Sequence, residues 1–187
     1  MVNAGTIAGN TTDDAGIDFL TAGSVTNQSG GAITGFDGIF VAYAAVTGVN
    51  AGTITGSSYT VKFAAGYANR PIADPGAVFT GNVDGGGCVL ELASTASAGT
   101  LAGLGTGITN FSALQFDAGA AWTVSGNDSA SGLGTIAITG FANGGAQPGR
   151  VRRACRRASC GTRCMRSISI SVAKPHGWST MPNGTCR

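Results

Sequence analysis

The sequence predicts an all-β protein: a parallel β-helix, a solenoid of coils about 22 residues long, followed by a basic C-terminal tail. Three observations carry this. Ile17-Asp18-Phe19, Ile39-Phe40-Val41 and Val61-Lys62-Phe63 recur at steps of 22 residues. A second motif precedes each: Asn3-Ala4-Gly5-Thr6-Ile7, then Gly30-Gly31-Ala32-Ile33 behind Asn27, then Asn50-Ala51-Gly52-Thr53-Ile54. Glycine fills 32 of 187 positions while only 11% of residues are charged and 43% are hydrophobic. A disordered chain is more charged and less apolar, and collagen needs a strict Gly period that is missing here.

In the triplets the outer residues are apolar and the middle one varies. Alternation with period 2 places Ile17, Ile39, Val61 and Phe19, Val41, Phe63 inward, and Asp18, Phe40 and Lys62 outward. Parallel stacking sets equivalent residues about 4.8 Å apart. Ile7, Ile33 and Ile54 then form an internal aliphatic ladder. Asn3, Asn27 and Asn50 form an amide ladder at a turn, each carboxamide bonding to the next, with the following Gly supplying a positive φ.

The pattern Asn/Asp-x-Gly-x-apolar continues as Asp74-x-Gly76-x-Val78 and Ser97-x-Gly99-x-Leu101, then more loosely at Asp117-Ala118-Gly119, with Trp122 one place late. Leu90/Leu92 returns as Leu114/Phe116 and as Ile136/Ile138. A phase change falls near residues 64–90, where Tyr67–Pro71 and Gly85-Gly86-Gly87 read as loops.

The chain divides in two. Residues 1–147 hold all nine acids and two bases, a net −7; residues 148–187 hold nine bases and no acid, a net +9. Cys88 stands alone, while Cys155, Cys160, Cys164 and Cys186 crowd the tail. The expected organisation is a repeat domain over 1–146 and a basic Cys/Arg-rich tail over 147–187. Ordering some 40 residues costs on the order of 1 kcal/mol each, and the tail has few large apolar residues to offset it. It is expected to be disordered, or a single weak hairpin laid on the end of the solenoid. Its Arg, Cys, Ala, Pro and Gly content also matches out-of-frame translation of a GC-rich gene.

Candidate chemistry is sparse. Asp13, Asp14 and Asp18 form one acidic cluster, and Lys62 shares a face with Asp18 two coils away. A polysaccharide-acting β-helix enzyme would need carboxylates and a base together on such a face. The single His176 is far in sequence from Cys88, so no Ser-His-Asp or Cys-His set forms. Val83-Asp84-Gly85-Gly86-Gly87 lacks a P-loop lysine and the calcium repeat. Cys155, Cys160, Cys164, His176 and Cys186 match no common zinc spacing, and nine positive charges oppose a cation. The basic run 150–157 could hold nucleic acid only non-specifically. No catalytic, cofactor-binding or metal-binding residue is therefore assigned, and no enzyme activity is expected. No stretch is long and apolar enough for a membrane helix.

The segments at 2–9, 23–35, 74–86, 90–94 and 117–126 together resemble the repeats of Gram-negative autotransporter and haemagglutinin-like passengers. The resemblance spans roughly residues 2–144. It implies a right-handed β-helix displayed on the outer membrane by a C-terminal β-barrel, with an adhesive or structural role and no catalysis. The partners implied for the intact parent are a host or neighbouring-cell surface and that barrel. The sequence offers neither a signal peptide nor amphipathic barrel strands, so this chain reads as a passenger fragment, cytoplasmic if expressed. Uncapped coil edges are expected to associate end to end.

Overall fold

The structure is a computed structural model. It describes residues 1–127, 132–133 and 135–140, and the backbone of two strands at 152–155 and 166–172. In chain order the strands are β1 (Val2–Asn3), β2 (Thr6–Ala8), β3 (Ile17–Phe19), β4 (Gly23–Asn27), β5 (Ala32–Val41), β6 (Val46–Asn50), β7 (Thr53–Phe63), β8 (Arg70–Ala73) and β9 (Val78–Asp84). There follow β10 (Val89–Leu92), β11 (Gly99–Leu104), β12 (Ile108–Thr109), β13 (Ala113–Phe116), β14 (Trp122–Asn127), β15 (Ala137–Thr139), β16 (Arg152–Cys155) and β17 (Arg166–Val172). No helix occurs among the described residues.

Strand order makes this a parallel β-solenoid. One seven-stranded sheet runs β1-β4-β6-β8-β10-β13-β15, each strand parallel to the last. The second sheet holds β2, β5, β7 and β9 in parallel, and β3 also pairs with β5. Because β2 and β3 stack on the two ends of β5, and the β5–β7 register shifts between Gly35 and Asp37, each coil carries three strand runs separated by corners.

The expected ladders form. Ile17, Ile39 and Val61 are in register, as are Phe19, Val41 and Phe63, and Ile7, Ile33 and Ile54. Ile33, Ile39, Val41, Ile54, Val61 and Phe63 are buried. Ile17 and Phe19 were expected to be buried too but are only half-buried. They belong to the first coil, and no described coil covers their outer side.

Further along, corner length overrides spacing. Two residues separate Asn50 from Thr53, whereas four, Asp74–Ala77, separate their partners Ala73 and Val78. The ladder below Ile54 therefore continues through Phe79, and the expected Val78 lies 47% exposed on the outer face. Arg70 and Pro71, expected in a loop, begin β8. Leu114 pairs with Ile138, so the expected match to Ile136 is two residues out of register. Val124, rather than Trp122, stacks on Leu101, while Trp122 stands in register with Gly99. A Cβ at Gly99 would lie 2.5–2.6 Å from the Trp122 indole, so the ring occupies space that the glycine leaves open. The buried indole donates from Nε1 to the Ala93 carbonyl at 2.9 Å.

The tail's described part takes the hairpin-like form. β17 pairs antiparallel with β14, from Trp122↔Val172 to Asn127↔Ser167, and β16 pairs antiparallel with β17. The expected disorder of 147–187 does not apply to these two strands; for the rest of the tail it lies outside the described residues.

Candidate functional site

The interior is built for stacking. Asn3 Nδ2 donates to Asn27 Oδ1 at 2.8 Å, and Asn27 Nδ2 donates to Asn50 Oδ1 at 2.9 Å. All three carboxamides are buried. Their remaining hydrogens reach carbonyls at the starts of β5 and β7, Ala32 O at 3.1 Å and Thr53 O at 3.2 Å. A buried amide is tolerated only when so paired. The column then changes character: Ala73, Leu92 and Phe116 take the same register position.

The expectation that the glycine after each Asn supplies a positive φ holds in part. Gly30 (φ +82°), behind Asn27, is left-handed, as is Gly76 (φ +100°) behind Asp74, both in four-residue corners; Gly5, behind Asn3, is not. Nor is Gly52; it is glycine because a Cβ there would strike the Gly31 carbonyl of the neighbouring coil.

One outward column with charged and aromatic side chains runs down the third strand run. Asp18, Phe40, Lys62 and Asp84 follow one another in register down this face. Lys62 Nζ lies 4.8 Å from the Tyr59 ring centroid and 5.7 Å from that of Phe40, within cation–π range of both. Asp37 Oδ1 accepts the Tyr59 backbone N–H at 2.9 Å and pins the bulge that carries the ring. The sequence alone aligned Asp18 with Lys62. It missed Asp84, although Asp84 lies another 22 residues on, because the phase change obscured that strand's register.

The structure leaves the expected acidic cluster at the surface. Asp13, Asp14 and Asp18 are exposed, and no group of three or more His, Cys, Asp or Glu poised for a metal occurs among the described residues. Val83–Gly87 is a structural corner: Gly86 and Gly87 have φ of +59° and +85°, and Asp84 Oδ1 accepts the Gly86 N–H at 3.0 Å and Asn110 Nδ2 at 2.8 Å. Burial pushes the Cys88 thiol up to about 12, with a smaller push from Asp84. It is the wrong direction for a nucleophile. Burial, then the charge of Asp117, raises the Asp74 carboxyl. Arg70 and Glu91 form a two-pronged ion pair, Nε–Oε2 3.0 Å and Nη2–Oε1 2.8 Å, with the arginine side chain 58% exposed. Such a pair contributes little stability.

Inside the stack is an apolar cavity of about 30 Å³ lined by Ile39, Gly48, Ile54, Phe63, Phe79 and Val83 among others. It is a packing gap, far below the several hundred Å³ of a ligand pocket. Of the tail candidates, Cys155 and residues 152–154 of the basic run are described only as backbone in β16; Cys160, Cys164, His176, Cys186 and residues 150, 151, 156 and 157 lie outside the described residues.

These features define the class of protein as a parallel β-solenoid. Neither a protein-family model, nor a curated protein, nor a solved structure matches the chain.

Proposed function

We propose that the chain is a fragment of a surface-displayed passenger, with an adhesive or structural role and no catalysis. The observation that carries the reading is the third outward face. A packed solenoid offers a broad surface rather than a pocket, and here that surface presents two aromatic rings bridged by an ammonium and flanked by carboxylates. Aromatic and cationic groups on a rigid scaffold are favoured contact residues. The partner in the intact parent would be a host or neighbouring-cell surface, reached by display on the outer membrane; this part of the reading rests on the resemblance of the repeats.

Beads coated with the full chain test it. Retention on a cell layer should exceed that of uncoated beads and fall at least severalfold for Phe40→Ser with Lys62→Glu, two outward changes that leave the ladders intact. Retention unaffected by that pair, or cleavage of soluble polysaccharide by the purified chain, would overturn the reading.

A further inference from the structure

The triad Asn-x-Ser/Thr, the acceptor motif for N-linked sugar, begins at Asn10, Asn27, Asn110, Asn127 and Asn183. In a chain rich in Asn, Ser and Thr the triad alone decides nothing, but the structure separates its copies. Transfer of a sugar needs a surface carboxamide with an unoccupied Nδ2. Asn27 is 0% exposed and its Nδ2 donates to Asn50 Oδ1 at 2.9 Å. Asn110 Nδ2 donates to Asp84 Oδ1 at 2.8 Å, and Asn127 Nδ2 to Gly105 O at 3.0 Å. Asn183 lies outside the described residues. Asn10 differs from all of these. It is exposed, and its Oδ1 accepts the Thr12 backbone N–H at 2.9 Å and the Thr12 hydroxyl at 2.7 Å. The side chain closes an Asx turn on the third residue of its own triad, held by its oxygen, while its Nδ2 has no partner among the described residues. The loop that carries it, residues 9–16, lies along the flank of the solenoid. Asn10 O accepts the Phe36 N–H at 2.7 Å, and Thr11 O accepts the Ser57 hydroxyl at 2.7 Å, anchors one and two coils further on. The triad is thus presented sideways, and its exposure does not depend on what stacks on the first coil.

We propose that Asn10 is an acceptor site for N-linked glycosylation, taking a hexose from a nucleoside diphosphate sugar. In that transfer Nδ2 bonds to the anomeric carbon of the hexose. The bond from that carbon to the diphosphate oxygen breaks, and the nucleoside diphosphate leaves with the electron pair. A base of the transferase takes one Nδ2 proton, and no oxidant or reductant is involved. The turn contributes placement: it fixes the carbonyl end of the carboxamide and leaves the reacting nitrogen unengaged. At Asn27, Asn110 and Asn127 the same transfer must first break a hydrogen bond of the fold, and at Asn27 it must also open the buried amide ladder.

The test incubates the full chain, reduced to keep the thiols free, with UDP-glucose and a soluble asparagine glucosyltransferase that modifies a short peptide spanning Asn10. Peptides spanning Asn27, Asn110 and Asn127 are run beside it, and mass spectrometry of digests locates the added hexose. Dividing each rate in the folded chain by the rate of its own peptide removes the transferase's preference for one triad over another. The quotient for Asn10 is expected to exceed those for Asn27, Asn110 and Asn127 at least tenfold. Thr12→Ser should keep the modification of Asn10. Thr12→Val, which retains the backbone bond of the turn and removes the hydroxyl, should lower it at least tenfold. Both changes lie in an exposed loop and leave the ladders intact. No hexose on Asn10 of the folded chain, a quotient at Asn27 or Asn110 equal to that at Asn10, or full modification of the Thr12→Val chain would overturn the proposal.

Discussion

Replacing Asn27 by Ala breaks the amide ladder at its middle. The side chain is 0% exposed. It accepts from Asn3 Nδ2 at 2.8 Å and donates to Asn50 Oδ1 at 2.9 Å and to Thr53 O at 3.2 Å. Each lost bond contributes about 1 kcal/mol net, and leaving buried partners unsatisfied costs about 1–3 kcal/mol more. The losses are partly relieved, because Asn50 Oδ1 still accepts from Gly52 N–H and Asn3 Nδ2 still reaches Gly5 O. The expected total is about 2–4 kcal/mol. Asn3→Ala removes only one ladder bond, from the end of the column, and should cost about 1 kcal/mol. Urea denaturation followed by far-UV circular dichroism reads both. Because coils couple mainly to their neighbours, hydrogen exchange in β4 and β6 should speed up more than in β13. A double-mutant cycle of Asn27 and Asn50 should return a coupling of about 0.5–3 kcal/mol. If Asn27→Ala costs no more than Asn3→Ala, or the coupling vanishes, the carboxamides are merely buried side by side and the ladder reasoning fails.

Gly48 lines the apolar cavity, and a Cβ there would make ordinary contacts with Phe63 at 3.7 Å and Val25 at 3.9 Å. Gly48→Ala should therefore stabilise by about 0.5–1 kcal/mol, measured as a rise in the urea midpoint. Thr60 Oγ1 is buried with no hydrogen-bond partner, so Thr60→Val should stabilise by about 1 kcal/mol; destabilisation in the same assay would mean the hydroxyl has a partner. Cys88 should resist a thiol reagent at pH 8 in the folded chain and react once urea unfolds it. Its folded pKa of about 12 stands above the ordinary 9.0, so stability that is full below pH 9 should decline as pH rises from 9 toward 12, and Cys88→Ser should flatten that decline. Asp74 is raised above 3.8 by burial and then by Asp117. The folded state holds its proton more tightly, so ionising it costs stability as pH climbs past that point, and Asp74→Asn should raise Tm at pH 7 but not at pH 3.

The repeat was legible where coil length is constant. A step of 22 residues carried Ile17 to Ile39 to Val61 without error, since inward sites tolerate only apolar side chains and outward ones vary. It failed where a corner changes length. Asp74-x-Gly76 mimics the Asn-x-Gly motif, but it is Ala73 that stands in register with Asn50 and the corner after it is two residues longer, so spacing nominated Val78 where the fold uses Phe79, one place on. Trp122 misled for another reason: a large ring signals an inward site but not its register, and its vacancy is made by Gly99 one coil away. The candidate face was half visible. Asp18 and Lys62 share it by periodicity alone, but the ring contacts at Lys62 depend on the bulge that carries Tyr59, which shifts the register by an extra residue. The tail was legible as disordered chain or one hairpin on the end of the solenoid; that β17 lies on β14, and in the antiparallel sense, comes from the assembled sheet.

The corners have a consequence for how such a chain can change. The run from β1 to β2 turns in two residues, from β4 to β5 in four, from β6 to β7 in two and from β8 to β9 in four, yet the ladders on either side keep their partners. At these corners length is absorbed at the vertices, and the strands that follow stay paired. Such a scaffold can accept inserted loops at its vertices, renewing what it shows to its surroundings while the column of side chains inside stays as it was.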